Sequence, residues 1–446
     1  MSKLSKVAVI GLDCADPILV FQEFWEDLPN LRHLIKARGK MKSTIPPITV
    51  PAWMSMMTGK DPGTLGIYGF RNRKDYSYDS LFFANSRLLK HPTVWELLSE
   101  KGLRSIVLGV PMTYPPKPLN GCMITSFLTP SIESDYTYPK SLKHRIAEWV
   151  GEYMLDVPNF RTNDKERLLK DIYEMTRKRF EVARHLVVEE EWDFFMMVEM
   201  GPDRIHHGFW AYHDVGHPKH DPTSPYRNAI REYYMYLDEE IGKLVKLFPS
   251  NTKIIFVSDH GVQRMDGGIA VNDWLIEKGY LVLKEKPSTP TRIGELIKVG
   301  KIDWSKTRAW GEGGYYGRIF INVEGREPEG VVPEEEYESF RNQLIAELTS
   351  ITDEHGRNIG TVVYKPEEIY GEVRNIPPDL IVYFGNLSWR SIGSVGNETI
   401  WLHENDTGPD DANHSQYGMI ASSDDDELPA DILDFQKYVL SSLLER

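Results

Sequence analysis

Cysteine is scarce in this sequence, and long apolar runs are missing from it. Cys14 and Cys122 are its two cysteines, too few for a disulfide framework, so a reducing compartment is expected. The longest apolar pieces, such as VAVIGL and FFMMV, fall far short of the roughly 20 residues that a membrane-spanning helix needs. The first apolar stretch ends at Asp13 without a signal-type cleavage site. These features predict a cytoplasmic protein that does not bind a membrane.

Positive charge is also limited. The 52 Lys and Arg residues are outnumbered by 66 Asp and Glu residues, which gives a net charge of −14. Binding a nucleic-acid polymer without sequence preference requires a basic face, so no such partner is expected. A small phosphorylated substrate is compatible with this charge, because bound divalent cations reverse the local sign of a site. The oligomeric state is left open.

Short β-rich runs alternate with amphipathic helical patterns along the chain. This alternation predicts an α/β fold with a mostly parallel central sheet and helices on both faces. The runs are almost continuously apolar, as expected for strands that are covered on both sides. The predicted strands are residues 6–12, 105–110, 193–199, 253–258 and 379–384. Apolar residues at helical spacing predict two long helices, which begin near Asn163 and Pro225.

One segment differs in composition from the rest. Residues 284–375 open with the Pro/Lys/Thr-rich stretch KEKPSTPTR and continue with AWGEGGYYGRIFINV and a charged helical pattern. This predicts an inserted, smaller α+β subdomain at 284–375, with 1–283 and 376–446 expected to form the main α/β core, which also carries the candidate site residues described next. Trp310, Tyr315 and Tyr316 in the insertion are aromatic side chains that can stack a base or pack in a core, and packing is the expected role.

Polar residues follow several of the predicted strands, where open α/β sheets place their sites. Asp13 follows the first strand, and Asp259 and His260 follow the fourth. Each has an ordinary alternative, because an Asp after a strand often caps a helix and an Asp-His pair often belongs to a turn.

Asp203 and His207 follow the third predicted strand in GPDRIHHGFW. A spacing of four places both on one helical face, which suits chelation of one ion. His206 is adjacent, so this spacing alone leaves the choice of histidine open. His414 lies in the Asp/Asn-rich segment DDANHSQYG, where a solvated loop histidine is the ordinary alternative.

Taken together, the three aspartates and three histidines are an oxygen and nitrogen ligand set. Such a set suits Zn²⁺ or Mn²⁺ and differs from cysteine-rich structural zinc sites. Two ions about 4 Å apart can hold the attacking and leaving oxygens of a phosphoryl displacement. The set therefore predicts a catalytic centre with two divalent ions, with zinc expected and manganese as the alternative.

Thr49 is the candidate nucleophile. It lies in PPITVPAWMSMMTGKDPG, where extended chain leads into a short helix that is predicted to end near Thr58, before Gly59. A hydroxyl at a helix N-terminus feels the positive end of the dipole, and a metal contact lowers its pKa. The alternative is that Thr49 is only the helix N-cap.

Five ordered motifs resemble the alkaline phosphatase superfamily: GLDCAD, TVPAWMSMMTGKDPGTLGIYGF, GPDRIHHG, SDHG and NHSQYG. They look closest to its type I phosphodiesterase/nucleotide pyrophosphatase branch and the microbial predicted phosphohydrolases and phosphomutases beside it. The resemblance covers nearly the whole chain. It implies two metal ions, commonly zinc, one bound by Asp203, His207 and His414 and the other by Asp13, Asp259, His260 and Thr49. It also implies a covalent phospho-threonine on Thr49 that water later releases.

The chain departs from that family pattern at three positions. Ala52 stands where the pyrophosphatases carry an asparagine that steadies a phosphoryl oxygen, Leu65 stands where a histidine is common, and Cys14 stands where glycine is usual. Loss of one transition-state donor typically costs roughly two to three powers of ten in rate. The candidates to replace it are Arg71, Arg73 and Asn272, whose ordinary roles are surface ion pairs or caps.

The sequence thus predicts a two-metal phosphoester hydrolase of the phosphodiesterase/nucleotide pyrophosphatase type that acts through Thr49. One alternative is a phosphomutase, phosphotransferase or phosphomonoesterase of the same superfamily, because the same ligands serve those reactions. A second alternative, from another class, is a non-catalytic binding protein stabilised by metal.

Overall fold

The computed structural model describes residues 6–444, which fall into two units. Unit one contains residues 6–65, 84–262 and 414–444, and unit two contains 66–83 and 263–413. Unit two therefore includes the predicted insertion 284–375 and extends beyond it on both sides. Among the described residues, no helix combines the length and apolar character needed to cross a membrane.

The strands are short, with two to seven residues each. In chain order they are β1 (Lys6–Leu12), β2 (Ala37–Lys42), β3 (Arg71–Arg73), β4 (Leu81–Phe83), β5 (Ser105–Leu108), β6 (Gly121–Ile124), β7 (Thr137–Tyr138), β8 (Phe194–Glu199), β9 (Thr252–Val257), β10 (Gly261–Arg264), β11 (Gly267–Ala270), β12 (Thr291–Arg292), β13 (Ala309–Glu312), β14 (Gly317–Ile321), β15 (Val362–Tyr364), β16 (Leu380–Tyr383), β17 (Trp389–Ile392), β18 (Ser394–Val395), β19 (Trp401–Leu402), β20 (Ala412–Ser415) and β21 (Tyr417–Ser422).

The α-helices range in length from 4 to 25 residues. In chain order they are α1 (Pro29–Leu34), α2 (Thr49–Thr58), α3 (Pro62–Leu65), α4 (Val94–Glu100), α5 (Leu142–Val150), α6 (Lys165–Glu189), α7 (Gly201–His213), α8 (Ala229–Val245), α9 (Val271–Glu277), α10 (Ile293–Lys298), α11 (Tyr337–Thr349), α12 (Pro366–Ile369) and α13 (Phe435–Leu444).

Unit one is built on an eight-stranded sheet in the order β2-β21-β9-β1-β8-β5-β6-β7. The five strands from β9 to β6 are parallel, whereas the outer strands join antiparallel. Helices α1, α5, α6, α7 and α8 pack together as one group, and α2, α4 and α13 as another. The predicted α/β fold, with a mostly parallel sheet and helices on both faces, is confirmed.

The two long predicted helices are present as α6 and α8, but both begin later than the sequence suggested. Asp164 is the N-cap of α6, and its side chain accepts from the Arg167 backbone N–H. Pro225 lies in a turn before α8, which begins at Ala229. The sequence therefore located both helices but placed their first residues a few positions too early.

Unit two contains a four-stranded antiparallel sheet in the order β13-β14-β16-β15. The predicted strand 379–384 is β16 of this sheet, so its expected place in the parallel sheet was wrong. A continuous apolar run shows only that both faces of a strand are covered, and β16 is buried along its length. Trp310 is 2% exposed in the core of unit two, which confirms the packing role.

Candidate metal centre

Three adjacent parallel strands bring the predicted ligands of unit one to the same sheet edge. β1 lies between β9 and β8, and Asp13 follows β1 directly. Asp203 is in the first turn of α7, after β8, and Asp259 and His260 follow β9. Because the carboxyl ends of parallel strands share an edge, side chains far apart in sequence meet there.

The first group of side chains surrounds one oxygen of Asp203. His207 Nε2 is 3.3 Å and His414 Nε2 is 3.6 Å from Asp203 Oδ1. The two imidazole Nε2 atoms are 3.3 Å apart, and the His414 Nδ1 lies 2.8 Å from the Pro47 carbonyl oxygen. A carbonyl at Nδ1 favours the tautomer that leaves Nε2 free to bind a cation.

The second group surrounds the ring of His260. Its Nε2 is 3.2 Å from Asp259 Oδ2, 3.8 Å from Asp13 Oδ1 and 3.4 Å from Thr49 Oγ1. The His260 and His414 rings stack with centroids 3.7 Å apart, so the two groups are contiguous. Ligand atoms of Asp203, His260 and His414 lie within 4.8 Å of one another, as do those of Asp13, Asp259 and His260.

His206 is turned away from these side chains. Its Nε2 lies 3.2 Å from the Tyr234 hydroxyl, and its ring packs edge-on to Trp210. Burial lowers the pKa of His206 to about 3, so this ring is neutral. Of the two adjacent histidines, His207 is the one that joins the group.

Burial and neighbouring charges shift the pKa values of the three aspartates in different directions. Burial raises the pKa of Asp13 well above its usual range, and the Asp203 charge raises it further. Burial and the Asp13 charge do the same to the pKa of Asp259. Burial also raises the pKa of Asp203, but the charges of His207 and Arg204 outweigh it and hold that pKa well below the usual range.

Burial has the opposite effect on the pKa values of two histidines in the cluster. Burial lowers the pKa of His260 well below its ordinary value and also lowers that of His414, so both rings are neutral, the form that binds a cation. Asp13 Oδ1 and Asp259 Oδ2 are buried without a hydrogen-bond partner. Buried carboxylate oxygens are normally satisfied, and these two fit divalent cations.

Thr49 is the first residue of α2 and is 3% exposed. The N-cap is Ile48, with extended backbone and no side-chain capping bond, so the alternative that Thr49 caps the helix was wrong. Its hydroxyl is free to face His260 instead. Gly59, at a left-handed φ of 62°, ends the helix where the sequence predicted.

Sequence reasoning missed Trp53 as part of this site. Its indole Nε1 donates to Asp13 Oδ2 at 2.6 Å. Trp53 is four residues after Thr49, so it lies on the same face of α2, and this spacing was the available signal. A side chain at Gly11 would come within 2.6 Å of the Trp53 ring, so glycine in VIGLD allows the indole to approach.

Arg204 was also missed, although it is a cation directly beside a predicted ligand. It donates to Asp203 Oδ2 and forms two further bonds with Asp156, at 2.8 and 2.7 Å. It is 6% exposed. A basic residue next to a ligand aspartate in GPDRIHHG was the signal for it.

The structure shows the surroundings of two of the departures from the family pattern and of two of the candidate donors. Ala52 is fully buried in α2. Cys14 has a φ of 64°, a conformation that glycine adopts without strain. In unit two, Arg73 bonds Glu327 at 3.1 Å and Asn272 bonds the Gly311 carbonyl at 2.9 Å. Both side chains thus have structural partners within their own unit.

Residues 7–410 match the family described as type I phosphodiesterase / nucleotide pyrophosphatase. A search of curated proteins found no match.

Two solved structures illustrate the shared fold. Phosphonoacetate hydrolase from Sinorhizobium meliloti, in complex with phosphonoformate, is similar at a TM-score of 0.63 and 16% identity, covering 99% of this chain and 100% of that one. Murine ectonucleotide pyrophosphatase/phosphodiesterase 5, in an inactive form bound to AMP, is similar at 0.54 and 13% identity, covering 98% and 95%.

Proposed function

Because the chain belongs to the type I phosphodiesterase/nucleotide pyrophosphatase family, we propose that it hydrolyses a small phosphodiester with Thr49 as nucleophile at a centre of two divalent ions. The family match supports phosphoester hydrolysis as the chemistry. The observation that carries the finer proposal is the 3.4 Å approach of Thr49 Oγ1 to His260 Nε2, inside a cluster of buried ligand side chains.

The proposed ligands form two sets, which meet where the His260 and His414 rings stack. Asp203, His207 and His414 would hold one ion, and Asp13, Asp259, His260 and Thr49 the other. The orphaned oxygens of Asp13 and Asp259 support this assignment. Bound cations would supply Lewis acidity and charge neutralisation for a phosphoryl group. An oxygen and imidazole ligand set favours zinc, with manganese as the alternative.

Thr49 is well placed for covalent catalysis. Its Oγ1 would form a bond to phosphorus while the bond from phosphorus to the leaving ester oxygen breaks, and the hydroxyl proton would pass to that leaving oxygen. Water would then cleave the phospho-threonine and return Oγ1 to its starting state. The first turn of α2 supplies backbone N–H groups and the positive end of the helix dipole, which favour a phosphoryl oxygen there.

The substrate is proposed to be a small molecule. The phosphonoacetate hydrolase structure holds phosphonoformate and the ectonucleotide pyrophosphatase structure holds AMP, both of them small phosphorus-containing ligands. The family description favours a diester over a monoester. Ala52 lacks the donor that an asparagine would provide, so slower turnover than in the nucleotide pyrophosphatases is expected. A cytoplasmic location is proposed from the low cysteine content.

The test compares two chromogenic substrates, bis-p-nitrophenyl phosphate and p-nitrophenyl phosphate, with and without a chelator. The proposal expects turnover of the diester above that of the monoester, its loss on chelation and its recovery with Zn²⁺ or Mn²⁺. A folded, metal-loaded chain that hydrolyses neither substrate would refute it. Turnover that transfers phosphate to an added alcohol and not to water would identify a phosphotransferase instead.

A further inference from the structure

Arg204 is held in place more firmly than a surface arginine. Its Nε and Nη2 bond the two oxygens of Asp156 at 2.8 and 2.7 Å, a bidentate pairing that fixes the plane of the guanidinium. Asp156 lies in the segment between α5 and α6, and the side chains of the pair are 7% and 21% exposed.

Two aromatic rings from unit one complete the enclosure of the guanidinium. It lies 4.2 Å from the Phe160 ring centroid and 5.7 Å from that of Phe127, distances at which cation–π attraction operates. Phe160 comes from the same segment as Asp156, and its centroid is 6.1 Å from that of His207. The segment between α5 and α6 thus supplies the ionic contact to Arg204 and the nearer of its two aromatic contacts.

The Asp203 carboxylate divides its two oxygens between two kinds of neighbour. Oδ1 faces the histidines, with His207 Nε2 at 3.3 Å and His414 Nε2 at 3.6 Å. Oδ2 accepts from Arg204 Nη1. A carboxylate held in this way at one oxygen is restricted in rotation about its last side-chain bond, which leaves the other oxygen aimed at the ligand group.

We propose that Arg204, fixed by Asp156, is a positioning residue that holds Asp203 Oδ2 so that Oδ1 is presented to a divalent cation. This inference rests on the proposed metal centre. Outer partners of this type orient metal ligands, and their loss typically weakens metal binding by roughly 10- to 100-fold. The opposite role, in which Arg204 competes with the cation for Asp203, requires that its removal strengthens binding.

Metal titration distinguishes these two roles without relying on activity. The chelator-treated full chain is titrated with Zn²⁺ against a chromophoric competitor, and with Co²⁺ followed by its absorption spectrum. Arg204→Met removes the charge and the donors, Arg204→Lys keeps the charge but loses the planar fork, and Asp156→Asn loosens the clamp. We expect Arg204→Met to weaken Zn²⁺ binding roughly 10- to 100-fold, with smaller losses in the other two and an altered Co²⁺ spectrum.

Arg231→Met is the matched control, because Arg231 forms a bidentate pair with Asp27 at 2.7 and 2.7 Å that is exposed and involves none of the ligands. Its affinity should equal that of the wild type. The double variant Arg204→Lys with Asp156→Asn should lose less than the sum of the single losses, because the two residues act as one unit.

The outcomes distinguish a failure of the positioning role of Arg204 from a failure of the proposed function. If the wild type binds Zn²⁺ and Arg204→Met binds it equally or more tightly, the positioning role is overturned and the proposed function stands. If the wild type binds no divalent cation, both are overturned. Should Arg204→Met fail to fold, Arg204→Lys and Asp156→Asn decide the question, and wild-type affinity and Co²⁺ spectra in both would overturn the role.

Discussion

Unit one and unit two both bury charged side chains, but they surround them differently. In unit two, Glu327 bonds Arg73 at 3.1 Å and Arg326 at 3.0 Å, and Asp379 bonds Arg326 at 2.8 Å. In unit one, Asp13 and Asp259 each keep one buried oxygen without a partner.

This difference distinguishes buried charges that are neutralised by neighbouring side chains from buried carboxylates that lack a counter-charge and can bind a cation. A buried ion pair is tolerable because attraction and hydrogen bonds offset the loss of hydration, whereas an uncompensated buried charge costs several kcal/mol. The ion pairs of Glu327 and Asp379 in unit two meet this condition with protein atoms alone. The clustered carboxylates of unit one meet it only in part, through Trp53 and Arg204, and a divalent cation would supply the remainder. Buried charge alone therefore does not mark a site, whereas several incompletely paired carboxylates gathered around histidines point to one.

The largest effect is expected from Thr49→Ala, which removes the proposed nucleophile. Turnover of bis-p-nitrophenyl phosphate should fall by roughly 10⁴-fold or more, because Ala cannot form the covalent intermediate. The Zn²⁺ content should stay close to wild type, since the carboxylates and imidazoles remain. Thr49→Ser, which keeps the hydroxyl, is the control and should retain most activity. Loss of metal together with activity would assign Thr49 a structural role.

The paired charges of unit two predict a stability effect instead. Glu327→Gln leaves Arg73 and Arg326 without their full counter-charge and should lower the free energy of unfolding by about 3 kcal/mol. Glu372→Gln is the control, because both side chains of the Glu372–Arg374 pair are exposed, at 57% and 43%, and such pairs contribute less than about 1 kcal/mol. Chemical denaturation measures both, and equal losses would contradict the distinction between buried and exposed pairs.

The unpaired carboxylates of unit one predict that cation binding releases protons. In the metal-free chain, burial raises the pKa values of Asp13 and Asp259 above the usual 3.8, and a cation binds only the ionised form. Affinity should therefore increase as pH rises through the raised pKa values, by about tenfold per pH unit for each proton released. The neutral His260 and His414 rings add none. Calorimetry in buffers of different ionisation enthalpy counts the protons, and a count of zero at every pH would contradict this.

Trp53→Phe tests the partial compensation of Asp13. It removes the 2.6 Å donor to Asp13 Oδ2 and keeps most of the ring. We expect about tenfold weaker Zn²⁺ binding, by the same reasoning that applies to other ligand-orienting partners. Trp192→Phe is the control, because that indole donates to the Val187 carbonyl at 3.3 Å and contacts no proposed ligand. Equal metal affinities in the two variants would remove Trp53 from the site.

The strands that carry the site were predictable because each is a continuous apolar run followed by an Asp. β1, β8 and β9 were found in this way, and the spacing of Asp203 and His207 gave their common helical face. The spatial order of the strands was not predictable, because apolar runs carry no pairing information. For the same reason, β16 was placed in the wrong sheet.

The side chains that orient the ligands were beyond sequence reasoning for a different reason. Trp53 contacts Asp13 across 40 residues of chain, and Asp156 contacts Arg204 across 48. Such pairs depend on tertiary packing. The spacing of Trp53 from Thr49 gives a shared helical face but not the carboxylate that the indole contacts, and Asp156 carries no local pattern. The choice of His207 over His206 came from the family resemblance, whereas the spacing of four alone left it open; in the structure the two rings point in different directions.

Substitutions of Cys14 are expected to have the smallest effect. They test whether the Cys14 thiol is part of the ligand cluster or is only adjacent to Asp13 in sequence. The Cys14 backbone N–H donates to Asp259 Oδ1 at 3.2 Å, a bond that any residue except proline can make. A residue other than glycine at the Cys14 φ of 64° is strained by about 1–2 kcal/mol. Cys14→Gly relieves this strain, but it also removes the thiol contacts and increases the freedom of the unfolded chain. Because these effects offset each other, the free energy of unfolding should change by less than about 1 kcal/mol. Cys14→Val, with a β-branched side chain at this φ, should lose about 2 kcal/mol or more. Thermal unfolding measures the stability of both variants. The Zn²⁺ affinity of Cys14→Gly should equal that of the wild type, because the backbone donor to Asp259 is unchanged. A tenfold loss of Zn²⁺ affinity in Cys14→Gly would make the thiol part of the site.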